Sequence, residues 1–415
     1  MGGQIMPPVM GAVAFIMAET LGIQYREVVQ AAIIPAILYF ASAFWAVHLE
    51  AGRTGLMGLP RNQLPSPMNA LKERWYLILP LAALVYLLFS GFTPLFAGTI
   101  GFAMTALLIL GGSVALGLPN YVLRVVFWVF LGLIAASFFK FGIGIVIAAA
   151  AVLVAVNLFI KGGMQTLRDC RDSLAEGAKT ALPVGIACAI VGIIVGTMTL
   201  TGVANTFGDY IVSIGRSSLI LSLILTMITC LILGMGIPTI PNYIITSTIA
   251  GPALLALGIP LLVSHMFVFY FGIMADLTPP VALACFAAAP IARESGLKIA
   301  MEAIKVAAAG FVIPYMAVYT PALMLQPGGV LADSIGFYPA VIYIVFKTAL
   351  AIALWGIAVI GYFKTHLAWW ERILATIASF SLIAAVPISD QIGFALAVVF
   401  FGQHLYRAWQ ASQPA

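Results

Sequence analysis

The sequence predicts an all-α polytopic membrane protein, organised as an inverted repeat with broken helices and a re-entrant hairpin. Three observations carry this. The 415 residues are 63% hydrophobic and 8% charged, with mean hydropathy +1.12, whereas an ordinary soluble domain is about 25% charged. Apolar runs of about 20 residues, the length that crosses a bilayer as a helix, recur from end to end. A Pro-Pro-Val motif interrupts two of these runs, in GGQIMPPVMGAVAF (Gly2 to Phe15) and GIMADLTPPVALACF (Gly272 to Phe286), with Val9 and Val281 272 positions apart. The run lengths and the Gly/Pro content favour helices over the shorter alternating strands of a barrel. The net charge of +5 comes from basic loops and does not point to nucleic acid.

The elements follow in order. A broken segment covers 5–21, and apolar runs cover 27–47, 75–91, 94–118, 121–139 and 141–160. Next come 181–200, an interrupted run at 218–257, and 263–292 with the second Pro-Pro break. The last runs are 299–325, 339–362, 372–386 and 391–406. The stretch MQTLRDCRDSLAEGAKT mixes both charge signs on a helical pattern and is too polar to span, so it reads as a cytoplasmic surface helix or a solvated loop helix.

Loop charges orient the spans. Residues 48–74 carry Arg53, Arg61, Lys72 and Arg74, and residues 161–180 carry Lys161, Arg168, Arg171 and Lys179. Positive loops stay in the cytoplasm, and the four spans between these two loops put both on one side. Residues 201–217 then lie outside. The next basic loop, with Arg293, Lys298 and Lys305, is inside only if 218–257 enters and leaves on one face. That run is therefore expected to be a hairpin with its tip at LGMGIPTIPNY, Leu233 to Tyr243, where Gly234, Gly236, Pro238 and Pro241 disfavour a regular helix. Freed backbone at membrane depth is tolerated only where protein or a wet cavity covers it.

By the same parity the two Pro-Pro breaks run in opposite directions, the mark of an inverted repeat. Proline inside a helix removes a hydrogen bond and clashes with the preceding turn. A break thus presents free carbonyls, which suit a hard cation, and half-helix N-termini, which suit an anion. Asp276 stands beside the second break and reads equally as a cation ligand or as a cap, with Thr278, of an inner half-helix starting near Pro279. Glu19 reads as a solvated carboxylate, His265 as an interfacial histidine, and Trp355, Trp369, Trp370 and Trp409 as belt residues near helix ends. Cys170, Cys188, Cys230 and Cys285 show no metal-ligand spacing and read as isolated thiols.

At these residues the chain resembles a known family. CLILGMGIPTIPNYIITSTIAGPAL, HMFVFYFGIMADLTPPVALACFAAAPIARE and GFVIPYMAVYTPALML look like the large membrane subunit of tripartite ATP-independent periplasmic (TRAP) transporters, most like the fused permeases of the TAXI branch. GGQIMPPVMGAVAFIMAE resembles that branch's first repeat. The resemblance covers about 1–48 and 161–330. It implies an ion-transporter-superfamily fold of elevator type and a sodium-driven importer of organic acids in a bacterial or archaeal inner membrane. An extracytoplasmic TAXI-type receptor would deliver the substrate, and sodium would be the coupling ion, a proton being the alternative.

Residue by residue, the resemblance implies a cation site at Gly234, Gly236, Pro238, Thr239, Asp276 and Thr278, with a first-repeat site at Gly3, Gln4, Met6 and Pro7. Substrate would meet Thr239, Asn242, Pro8, Pro279 and Pro280. Four segments follow: 1–48 as the end of the first repeat, 49–160 as a cytoplasmic loop with connecting and extra membrane helices, 161–330 as the second repeat, and 331–415 as extra C-terminal helices. Relatives carry a preceding region with the small-subunit helices and the first hairpin. The expectation is therefore a fragment, or a chain completed by another N-terminal or small membrane subunit. Two other readings are a non-functional remnant and an ion channel. An intramembrane enzyme is disfavoured, because the sequence has no HExxH, no GxSxG and no paired catalytic carboxylates.

Overall fold

A computed structural model of the chain describes residues 2–8, 10–56, 58–60, 63–137, 140, 142–216, 218–384 and 387–412. Val9 and Arg61, named above, lie outside the described residues. The chain forms two compact units, one of Met1–Gln63 with Ala187–Ala415, the other of Leu64–Ile186.

The second unit holds α4 (Pro67–Arg74), α5 (Leu79–Phe89), α6 (Pro94–Gly117), α7 (Tyr121–Ala136), α8 (Ile143–Asn157) and the start of α9 (Gly163–Leu200). Its core is Leu107, Leu110, Leu131, Val146 and Leu153. Asn157 is fully buried there and fully used. Its Nδ2 donates to the Leu110 and Leu153 carbonyls at 2.9 and 2.8 Å, and Ser113 Oγ donates to its Oδ1 at 2.5 Å. A satisfied amide of this kind ties α6 to α8 without an orphaned polar group.

The first unit contains α1 (Gly2–Ile5), α2 (Val13–Leu21), α3 (Tyr25–Thr54), the end of α9 and then α10 (Val203–Gly215), α11 (Leu219–Leu233) and α12 (Thr239–Ala256). It continues with α13 (Leu261–Met274), α14 (Leu283–Ala292), α15 (Gly296–Val306), α16 (Ala308–Tyr319) and α17 (Val330–Ile335). It ends with α18 (Phe337–Ile360), α19 (Trp369–Ile383) and α20 (Pro387–Ser412). Between α18 and α19 sits a two-residue hairpin, Tyr362–Phe363 against Thr365–His366. Among the described residues, five helices are long and apolar enough to cross a membrane. The 15 residues of α11, 14 of α13 and 10 of α14 extend about 22, 21 and 15 Å at 1.5 Å per residue, less than the ~30 Å hydrocarbon core. These lengths agree with a hairpin arm and two half-helices.

Two expectations are corrected and one element is added. The mixed-charge surface helix is not separate from the span at 181–200, because α9 is one helix of 38 residues. Leu, Arg, Ala, Glu and Lys carry the helix through, and neither Gly177 nor Pro183 stops it. Residues 201–217, for which no element was expected, hold α10 at Val203–Gly215. Val203, Phe207, Ile211 and Ile214 recur at helical spacing, Ile211 is buried, and Phe207 packs against Val191, Ile245 and Ile249. The run 299–325 is divided at Ala307 into α15 and α16. Ser295 Oγ caps α15 by accepting the Lys298 N–H at 3.3 Å, and Lys298, Glu302 and Lys305 give that helix a polar stripe.

The C-terminal helices hide charge that the hydropathy pattern passed over. Lys347 Nζ lies 2.5 Å from Asp390 Oδ1, and Tyr343 donates to Asp390 Oδ2 at 2.6 Å, with both charged side chains largely buried. Glu371, also buried, meets His404 Nδ1 at 3.2 Å and Arg407 at 2.6 Å.

Candidate functional site

The two breaks share a backbone. Met10 and Ala282, 272 positions apart like the two Pro-Pro motifs, both adopt left-handed φ, +50° and +40°. Neither is glycine, so each conformation costs about 1–2 kcal/mol. The same hydrogen bond closes both turns: Met10 N–H to the Met6 carbonyl and Ala282 N–H to the Thr278 carbonyl, each at 3.2 Å. Both Pro-Pro bonds are cis. In this register Gln4 is the counterpart of Asp276.

The second break does not end as the sequence suggested. The inner half-helix starts at Leu283 rather than near Pro279, with Ala282 at its cap position. Asp276 serves that half-helix through its main-chain carbonyl, which accepts the Ala284 N–H at 3.2 Å. Thr278 Oγ donates back to the Met274 carbonyl at 2.8 Å. The side-chain cap is therefore overturned, and the Asp276 carboxylate is spared from capping. Its Oδ1 is buried without a hydrogen-bond partner.

The hairpin tip is shorter than the expected Leu233–Tyr243. It spans Gly234–Pro238, because α12 begins at Thr239. Pro241 fits in the first turn, where a missing N–H costs nothing. Gly236 turns the chain with φ +73°. Gly234 is held in close quarters: a β-carbon there would sit 2.7 Å from Asn242 Nδ2, 2.9 Å from the Cys230 carbonyl and 3.0 Å from Ala275 Cβ.

Asn242 joins tip to break. It is 1% exposed, and its Nδ2 donates to the Gly272 carbonyl at 2.7 Å and, more weakly, to the Gly234 carbonyl at 3.4 Å. Its Oδ1 has no partner. Gln4 joins the other break to the same tip, since its Nε2 donates to Thr239 Oγ1 at 2.9 Å, and its Oε1 is also buried and unpartnered. Three buried acceptor oxygens, Gln4 Oε1, Asn242 Oδ1 and Asp276 Oδ1, thus stand at the two breaks and the tip with no donor. Buried acceptors are ordinarily satisfied, and hard oxygen donors of this kind suit an alkali or alkaline-earth cation.

Of the other expected residues, Gly3, Gly236, Pro238 and Pro280 are exposed, while Met6, Pro7, Pro8, Thr278 and Pro279 are half-buried. The Pro8 carbonyl is not bare: Tyr25 Oη, from the first turn of α3, donates to it. No local motif links Tyr25 to a proline 17 positions earlier, which is why the sequence did not show this contact. His265 is buried rather than interfacial, with its Nδ1 2.8 Å from Tyr243 Oη. Trp355 is half-buried, and its indole Nε1 is buried without a partner. Glu19, Trp369, Trp370 and Trp409 are exposed, as expected. The four cysteines are free.

The family model described as "Tripartite ATP-independent periplasmic transporter, DctM component" matches residues 1–121 and 113–327, which include both breaks and the hairpin. Comparisons with curated proteins and with solved structures returned no match. With well over half its length matched, the chain belongs to the DctM-component family of tripartite ATP-independent periplasmic transporters, and is a multi-pass membrane component of a transporter.

Proposed function

We propose that the chain is the permease of a sodium-coupled importer of organic acids, working with an extracytoplasmic receptor of TAXI type in a bacterial or archaeal inner membrane. The observation that carries this is the set of three donorless oxygens, Gln4 Oε1, Asn242 Oδ1 and Asp276 Oδ1. No salt bridge among the described residues reaches the Asp276 carboxylate, and a bound Na⁺ supplies a counter-charge. The carboxylate of the substrate is placed at the same break, near Thr239, Asn242 and the Pro8, Pro279 and Pro280 turns. There, half-helix N–H groups offer donors to an anion. Cation and anion then neutralise each other at membrane depth, which couples their binding.

Uptake of a radiolabelled organic acid by proteoliposomes holding the chain, with receptor added outside, tests the reading. An inward sodium gradient drives uptake, Asp276→Asn abolishes it, and Glu19→Gln leaves it intact. Equal losses in the two variants contradict the proposal. Uptake that follows a proton gradient and ignores sodium replaces the ion and keeps the site.

A further inference from the structure

A cavity of about 660 Å³ lies between α11, α15, α16, α18 and α19, away from the breaks. Its walls are almost wholly apolar, with Ile224, Val312, Val359 and Phe380 among them. Ile224 and Phe380 are also exposed on the outside of the molecule, so the space communicates with its surroundings, which in a membrane are acyl chains. Dry apolar space of this size favours an apolar occupant over water.

One wall residue asks for more than hydrocarbon. Trp355 packs edge-on against Phe380, with ring centroids 5.2 Å apart, and its indole N–H is buried with no acceptor. Buried indole N–H groups ordinarily find a partner, and an acyl chain offers none. Of the other polar wall residues, Tyr315 Oη contacts Met227 Sδ at 3.3 Å, Lys305 Nζ pairs with Glu302 at 2.6 Å, and Tyr319 adds a phenolic hydroxyl. The Glu50–Arg53 pair of α3 acts electrostatically on Lys305 and Glu302. Both charge signs therefore surround Lys305, and headgroup charge is a poor selector.

We propose that this cavity is a site for a diacyl glycerophospholipid, with one acyl chain in the apolar space and an ester carbonyl accepting the Trp355 Nε1–H. The walls from α11, α15 and α16 fall inside the family match, whereas α18 and α19 fall outside it. The lipid thus seals the seam between the hairpin arm and the C-terminal helices.

The test sets ester against ether. The purified full chain in detergent is titrated with a diester phospholipid and with the diether analogue of the same chains and headgroup, and the thermal midpoint is followed. Wild type reaches its half-maximal rise at roughly fivefold lower diester than diether, the ratio expected for one net hydrogen bond. Trp355→Phe, which keeps the ring and removes the N–H, responds to both lipids at the same concentration. Ala308→Phe, filling the cavity, loses the response to both, and Val312→Phe is the second plug should the first not fold. Equal response of wild type to ester and ether overturns the proposal. So does an ester preference that survives Trp355→Phe, or a full lipid response in a plugged variant.

Discussion

Gly234→Ala probes how tightly the hairpin tip is pinned to the second break. The added methyl falls 2.7 Å from Asn242 Nδ2, 2.9 Å from the Cys230 carbonyl and 3.0 Å from Ala275 Cβ. Two of those neighbours are a backbone atom and a methyl, which cannot rotate away. The third is the group that holds the Gly272 carbonyl at 2.7 Å. Overpacking of this kind costs about 1–3 kcal/mol, and displacing the amide loses about 1 kcal/mol more, so the sum is about 2–4 kcal/mol. Gly236→Ala is the internal control. Its methyl meets only Val281 at an ordinary 3.5 Å, and its φ of +73° sets the penalty, about 1–2 kcal/mol. Thermal unfolding of the purified variants in detergent reads both. In an Asn242→Ala background the Gly234→Ala loss shrinks by about 1 kcal/mol or more, because the displaced amide is gone. An undiminished loss there, or a larger loss for Gly236→Ala than for Gly234→Ala, refutes the reasoning.

Two further outcomes follow from contacts away from the tip. Lys347→Met strands the Asp390 carboxylate beside Tyr343 and lowers stability by about 3–5 kcal/mol, whereas Lys347→Met with Asp390→Leu recovers most of it in the same unfolding assay. Tyr25→Phe frees the Pro8 carbonyl at the first break and costs about 1 kcal/mol, measured as a fall in the thermal midpoint.

The breaks, the hairpin and the family were legible because each rests on local chemistry. Proline and glycine mark where backbone hydrogen bonding fails, wherever the rest of the chain lies. The offset of 272 positions between the two motifs was also in the sequence, and the structure gives it a shared left-handed turn at Met10 and Ala282. What was not legible depends on long-range contact. Asn242 reaches 30 residues to Gly272, and Gln4 reaches 235 residues to Thr239. No periodicity encodes either. The cap at Asp276 was misread because a carboxylate and a carbonyl on one residue can both cap. The chain uses the carbonyl, so the carboxylate is left without a partner. Lys347 went unremarked inside the apolar run 339–362. Its partner Asp390, 43 positions on, came into reach only through the packing of α18 against α20.

The central claim is that Asp276, with Gln4 and Asn242, forms a sodium site. Thermal unfolding of the purified chain in sodium chloride, against potassium and choline chloride, tests it most directly. A ligand that binds only the folded state stabilises it by about 2.7 kcal/mol at a hundredfold excess over Kd. The account predicts a sodium-specific rise in the midpoint that saturates with concentration and disappears in Asp276→Asn. A midpoint that is the same in all three salts, or a sodium-specific rise that Asp276→Asn retains, contradicts it.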